Sequence, residues 1–334
     1  MNGSRLHLWK VWQKEGNRAA LLTLMVFACL VLLDNGLHAQ QTPQFTQFTE
    51  IRSYFNPAAT AADNVMRIGM AGRYQWLGLE DPMGQPIGPQ SFMGYADIPL
   101  IGINSGMGLL ALYNQTAYDQ TIFLRLNGAH HLQTGSQGVI SLGLSVDYIH
   151  KTFDFESLPS GPPSIGGTTL GLERSSGVDL GAGLFYHHEE GHFFGFSGHN
   201  LLEAPMTFSG FNFGFERQFH AMAGTTISII DSRTATLALL PAILVHSTAA
   251  LVPQYTAQAT IVLNDRYFAG LAYRYEDAIG GIIGAVIGNF RVGLSYDYTT
   301  SLLRNAGSIG SPEITLSWGR PSVPRMRWEG RCYP

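Results

Sequence analysis

From residue 66 to residue 318 the chain runs in short stretches whose apolar residues occupy every second position, with turns between them and no sustained helical period. In Arg291-Val-Gly-Leu-Ser-Tyr-Asp-Tyr298, Val292, Leu294, Tyr296 and Tyr298 share one parity, while Arg291, Ser295 and Asp297 share the other. Successive strand side chains point to opposite faces, so one face is apolar with aromatic ends and the other carries charge. Near the start, Met66, Ile68, Met70, Tyr74 and Trp76 oppose Arg67, Arg73 and Gln75. Further on, Tyr267, Leu271, Tyr273 and Tyr275 oppose Arg274 and Glu276, and Ile314, Leu316 and Trp318 oppose Glu313, Thr315 and Ser317. Arg125, Asp147 and Asp179 also fall on the polar side. A charge facing lipid at mid-bilayer costs about 2–4 kcal/mol for Arg or Lys, so the polar parity belongs in a lumen. The pattern predicts an all-β chain, a transmembrane outer-membrane β-barrel of about 14 antiparallel strands.

Composition agrees. Charged residues make up 13%, low for a soluble domain, with 39 Gly and 11% aromatics. A net charge of −4 gives no ground for a nucleic-acid partner. Lys10, Lys14 and Arg18 precede the apolar run Ala19 to Leu33, and Leu37-His-Ala39 offers a cleavage site, so 1–39 reads as a signal peptide. Cys29 follows Val26-Phe-Ala28, faintly like a lipoprotein site, but the apolar run continues past it. The mature chain would keep Cys332 as its one thiol, which precludes an intramolecular disulfide. The most apolar later piece, Leu237 to Val245, is too short for a membrane helix and contains Pro241.

Candidate strands lie near 66–78, 90–98, 105–116, 119–131, 137–150, 176–188, 191–199, 219–230, 234–246, 253–264, 266–276, 280–289, 290–299 and 312–318. The longer connections, Leu79–Pro89, Lys151–Ser175, Asn200–Gln218 and Thr300–Ser311, follow odd strands, and short ones such as Asn264-Asp265 follow even strands. Outer-membrane barrels keep short turns in the periplasm, which predicts two periplasmic termini. The division is then a signal peptide (1–39), a periplasmic N-terminal arm or plug (40–65), the barrel (66–318) and a periplasmic basic tail (319–334) with Arg320, Arg325, Arg327 and Arg331.

Several short motifs, taken in order, resemble the PorP/SprF family of the Bacteroidetes type IX secretion system. They are Pro43-Gln-Phe-Thr-Gln-Phe48, Tyr54-Phe-Asn-Pro-Ala58, Arg73-Tyr-Gln-Trp76, the Pro241 strand, Asn264-Asp-Arg-Tyr-Phe268, Gly270-Leu-Ala-Tyr-Arg274, Gly293-Leu-Ser-Tyr-Asp-Tyr298 and Gly310-Ser-Pro-Glu-Ile-Thr-Leu-Ser-Trp318. The family commonly has His where this chain has Pro312, and often ends in Cys-Pro before basic and aromatic residues, whereas this chain ends Cys332-Tyr-Pro334. The resemblance implies an integral outer-membrane protein, not an enzyme, that supports secretion or surface attachment of large adhesins bearing a C-terminal signal domain. Some members support gliding motility, and some associate with periplasmic ring components. The implied partners are outer-membrane lipid, adhesin cargo and ring components; no cofactor is implied. The alternative is a diffusion porin or a hydrophobic-substrate transporter.

Candidate site residues fall into two groups. Arg73, Gln75, Arg125, Arg274, Glu276, Arg291, Asp297 and Glu313 would form a polar lumen network, either a gate or plug seat or, as favoured, a lattice that pairs charges and fixes register. Candidate partner-binding residues are Asn56, Pro57, Phe208, Phe211, Phe213, Arg325 and Arg327. The phenylalanines of that loop, Phe215 included, either meet an adhesin or pack as a lid. His187, His188 and His192 flank the Glu189-Glu-Gly191 turn and read as solvated rim residues, since neighbouring strand positions face opposite ways. Gly166-Gly167 and Gly280-Gly281 lack the context of a phosphate loop, and no G-x-S-x-G elbow or H-E-x-x-H occurs, so neither catalysis nor a metal is expected.

Overall fold

The computed structural model describes residues 43–321 except 136, 166–167, 210, 233 and 249–252. The expected signal peptide (1–39), Arg325, Arg327 and the Gly166-Gly167 pair lie outside the described residues. Strands run as β1 (Val65–Tyr74), β2 (Gln90–Leu100), β3 (Ser105–Thr116), β4 (Asp119–Thr134), β5 (Gly138–Asp154), β6 (Leu172–His188) and β7 (Phe193–His199). Strand β8 (Gln218–Gly224) resumes after Thr225-Thr226 as Ile227–Asp231. Then follow β9 (Thr236–Thr248), β10 (Gln254–Leu263), β11 (Tyr267–Arg274), β12 (Ala278–Ile287), β13 (Phe290–Thr299) and β14 (Ser311–Pro321). Each pairs antiparallel with its sequence neighbours, and β1 pairs with β14 from Val65↔Pro321 to Arg73↔Glu313. The result is a closed barrel of 14 strands. Closure leaves no sheet edge in hydrocarbon.

Parity is carried into the walls. Along β5, Leu142, Leu144, Val146 and Tyr148 are exposed on the outer face, while Ser141, Ser145, Asp147 and Ile149 are buried on the inner one. Tyr296 and Tyr298 of β13 point outward opposite buried Ser295 and Asp297. The long connections 75–89, 155–171, 200–217 and 300–310 all follow odd strands, and those after even strands are tight turns. We call the two ends of the barrel the loop end and the turn end. Among the described residues no helix is long and apolar enough to cross a membrane.

Residues 43–64 lie inside the barrel. They form a 3-10 turn (Phe48–Glu50), one helical turn (Arg52–Phe55) and a second 3-10 turn (Pro57–Ala59). The last is specified locally: the Asn56 side chain accepts the Ala58 N–H at 2.9 Å, and Pro57 takes the first position, where no N–H is needed. Phe45, Phe48, Ile51, Tyr54, Phe55 and Ala58 are buried against inward wall residues such as Leu110, Phe123 and Phe185.

Candidate functional site: the occupied barrel interior

At the loop end an ionic lattice grips the start of this inner segment. Arg73, one residue from the end of β1, donates through Nη2 to Asp297 Oδ2 at 2.8 Å and through Nη1 to Glu313 Oε2 at 2.9 Å. Glu313 accepts the backbone N–H of Thr46 at 2.7 Å and of Gln47 at 2.9 Å. The Thr46 hydroxyl donates to Asp297 at 2.5 Å and accepts from Arg73 at 2.8 Å. Arg274 reaches Asp277 at 3.1 Å and Asp297 at 3.4 Å. Removing such charges from water is expensive, and it is offset only when the ions are mutually paired and their remaining donors and acceptors are filled, as most are here.

Midway down the lumen the wall binds backbone carbonyls. Arg125 holds Asp147 at 2.5 and 3.1 Å and donates to the Tyr54 carbonyl at 2.7 Å. Asn127 donates to the Ser53 carbonyl at 3.2 Å, and Ser197 and His199 hold the Phe55 carbonyl at 2.5 and 2.9 Å. In return Asn56 Nδ2 donates to the Leu184 and Phe196 carbonyls of β6 and β7 at 2.9 and 3.3 Å. Glycine makes room for this approach. A β-carbon on Gly143 would overlap the Pro57-Ala58 backbone, and one on Gly183 would overlap the Asn56 amide.

At the turn end Arg291 pairs with Glu50 at 2.6 Å and lies over the Phe268 ring at 3.9 Å. Asp63, just before β1, meets Arg67 at 2.9 Å and Arg52 at 3.7 Å. Burial alone would raise the Asp63 carboxyl, but Arg67 and Arg52 outweigh it and hold it well below the usual carboxylate range. A depressed carboxylate contributes stability above its unfolded pKa of about 3.9 and loses it as pH falls through the lower folded value. The urea-midpoint gap between wild type and Asp63→Asn is therefore expected to be equal at pH 7 and pH 5 and smaller at pH 3. An unchanged gap at pH 3 would remove Asp63 from the ion network.

A family model of the type IX secretion system membrane protein PorP/SprF matches residues 37–318, which include the inner segment and nearly all of the barrel. This chain belongs to the PorP/SprF family. It is therefore an integral outer-membrane component associated with type IX secretion. No curated protein matches it. Among solved structures it is similar to a FadL homologue from Pseudomonas aeruginosa, at 11% identity and TM-score 0.42, covering 85% of this chain and 96% of that one. It is similar to the toluene transporter TodX of P. putida, at 10% identity and TM-score 0.41, covering 79% and 92%. CdiB from Acinetobacter baumannii gives 8% identity and TM-score 0.41, with 77% of this chain covering 60% of CdiB. At TM-scores below 0.5 these likenesses carry nothing about mechanism.

Within this PorP/SprF barrel the structure brings Arg73, Arg274, Asp297 and Glu313 together at one end and places Arg125 and Arg291 at two further grips on the inner segment. Two expected members fall outside the lattice. Glu276 sits at φ 57° in the exposed turn after β11, because the strand ends at Arg274 and parity no longer applies. Gln75 lies past the end of β1, where its backbone N–H pairs with Pro89. Asn56 and Pro57 also need correction as periplasmic contacts, since both are buried inside the barrel. The parity of connections predicts both ends of the mature chain on the turn side. Pro321, the last described residue, lies on that side, and Gln44 bonds to Gln254, the first residue of β10 at the loop end, so the first described residues lie in the loop half of the lumen.

The loop phenylalanines fold inward. Phe208 stacks on Phe211 at 4.9 Å, Phe213 meets Phe215 edge-on, and Phe153 touches Phe208, Phe211 and Phe213. The Lys151 ammonium, paired with Asp119, faces the rings of Phe153, Phe213 and Phe215. The loop rings thus pack on one another and on Phe153 of β5. His188 and His192 flank Glu190 on the turn, at 3.8 and 3.5 Å. Sequence reasoning missed the stacked His220 and His246 and their neighbour His199, although His220 and His246 fall on the inward parity.

Proposed function

We propose that this barrel supports the secretion or surface attachment of large adhesins with a C-terminal signal domain, with residues 43–64 as its plug. In this reading the turn end faces the periplasm, where ring components of the machine would dock, and the long loops face outward. The carrying observation is the occupied lumen: charged and polar wall residues bind the inner segment at three levels. A diffusion porin needs a water-filled lumen, so this occupancy supports a gated or scaffolding role over free diffusion. Catalysis has no part in the reading.

The test is surface and culture-medium proteomics of an in-frame deletion against its complemented strain, with paralogous barrels also removed. One or a few signal-domain adhesins should leave the surface while other outer-membrane proteins stay unchanged. Unaltered adhesins would sink the proposal.

A further inference from the structure

The start of the inner segment reads Gln44-Phe-Thr-Gln-Phe-Thr49, the same triplet twice in succession. The interior treats both copies alike. Each phenylalanine turns edge-on to the inner helix: Phe45 to Tyr54 at 5.6 Å and Phe48 to Phe55 at 6.5 Å. Each threonine hydroxyl meets an inward polar side chain, Thr46 at Asp297 and Thr49 at Gln258. Each glutamine amide meets the wall, Gln44 at Gln254 and Gln47 at Ser295 and Thr315. Gly293 leaves room for the Gln47 amide, which a β-carbon there would overlap. The backbone is gripped as well, since Glu313 takes two successive N–H groups.

This is how a folded protein binds a short peptide, here one that turns at Thr46-Gln47: main-chain polar groups are satisfied and the side chains are read by the wall. None of these contacts depends on the peptide being joined to β1. We infer that the loop half of the lumen is a peptide-binding site, occupied in cis by residues 43–49, which takes a second peptide of Gln-aromatic-Thr chemistry in trans once the cis copy is displaced. The tether gives the cis copy an effective concentration on the order of millimolar, so a free peptide competes only when the cis copy is loosened or the peptide is abundant. A role for this exchange in cells rests on the outward orientation of the loops proposed above; binding itself does not.

The test uses purified full-length protein with Cys29→Ser, Cys332→Ser and Gln254→Cys. The probe is the synthetic peptide Pro-Cys-Phe-Thr-Gln-Phe-Thr, whose cysteine takes the place of Gln44 and carries a 2-thiopyridyl disulfide, so that attack by the thiolate introduced at position 254 releases pyridine-2-thione. Thr46→Glu, which sets a carboxylate against Asp297 and Glu313, displaces the cis copy. Disulfide adduct with the peptide is expected to be at least ten-fold greater in the Thr46→Glu protein than without that change. Unlabelled Pro-Gln-Phe-Thr-Gln-Phe-Thr should compete it away, and a scrambled peptide should not. Absence of adduct, or equal labelling by the scrambled peptide, overturns the inference. If Thr46→Glu does not fold, the protein that retains Thr46 is assayed at millimolar peptide, and lack of a competed adduct there overturns it equally. Because the readout is on purified protein, failure here is separate from failure of the secretion assay.

Discussion

Arg73→Ala is expected to lower unfolding stability by about 3–5 kcal/mol, the usual cost of removing one partner from a buried ion pair. Arg73 is 1% exposed and faces two carboxylates, so its loss leaves Asp297 and Glu313 close together with Arg274 as the remaining cation. The same change takes one hydrogen bond from the Thr46 hydroxyl and weakens the hold on the first residues of the inner segment. Arg73→Lys should lose less, since an ammonium keeps the charge but not the forked geometry that reaches both acids. Urea unfolding followed by tryptophan fluorescence gives the comparison. A loss below about 1 kcal/mol for the alanine variant would mean that the lattice is well hydrated, like a surface pair.

The second large effect is expected from glycine. Gly143→Leu and Gly183→Leu each put a side chain into space held by Asn56, Pro57 and Ala58. Overpacking in a core typically costs 1–3 kcal/mol, but here the obstructed atoms include backbone, which has little freedom to yield. The barrel wall is held by continuous ladders on both sides of β5 and β6, whereas residues 56–58 are held by few bonds. The inner segment should give way first. Purified variants are expected to conduct in planar bilayers where wild type does not, while keeping the heat-modifiable gel mobility of a folded barrel. Gly128→Leu and Gly281→Leu, at positions with open space around them, are the controls and should behave as wild type. A silent Gly143→Leu barrel, or a conducting wild type, would refute plugging by this segment.

The wall was legible because lipid imposes its own periodicity. Val292, Leu294, Tyr296 and Tyr298 face outward and Ser295 and Asp297 inward, as parity alone requires. Glu276 shows where that rule stops. It shares parity with Arg274, but a turn with positive φ intervenes, and alternation says nothing beyond a strand's last hydrogen bond. The interior was less legible. Asn56-Pro57 has the local signature of a turn, which the structure contains, but no local signal says that the turn sits inside a barrel against Gly143 and Gly183. The Phe208–Phe215 loop posed the same problem. Its aromatics buried themselves on Phe153 and Lys151, partners set by the fold and distant in sequence.

The grip of Glu313 and Asp297 on Thr46 and Gln47 also bears on how the barrel is assembled. The inner segment is made before every strand, yet its first anchors lie 251 and 266 residues later in the chain. Loop closure over such distances is slow, and the reward comes only at the end. Arg73 of β1 and Glu313 of β14 stand opposite each other on the seam that completes the cylinder. The contact that zips the last strand onto the first is thus one of those that fasten the interior. A nascent chain that stops before β13 has Arg73, Gln254 and Gln258 to touch its beginning but lacks Asp297 and Glu313, the acids that complete the grip on Thr46 and Gln47.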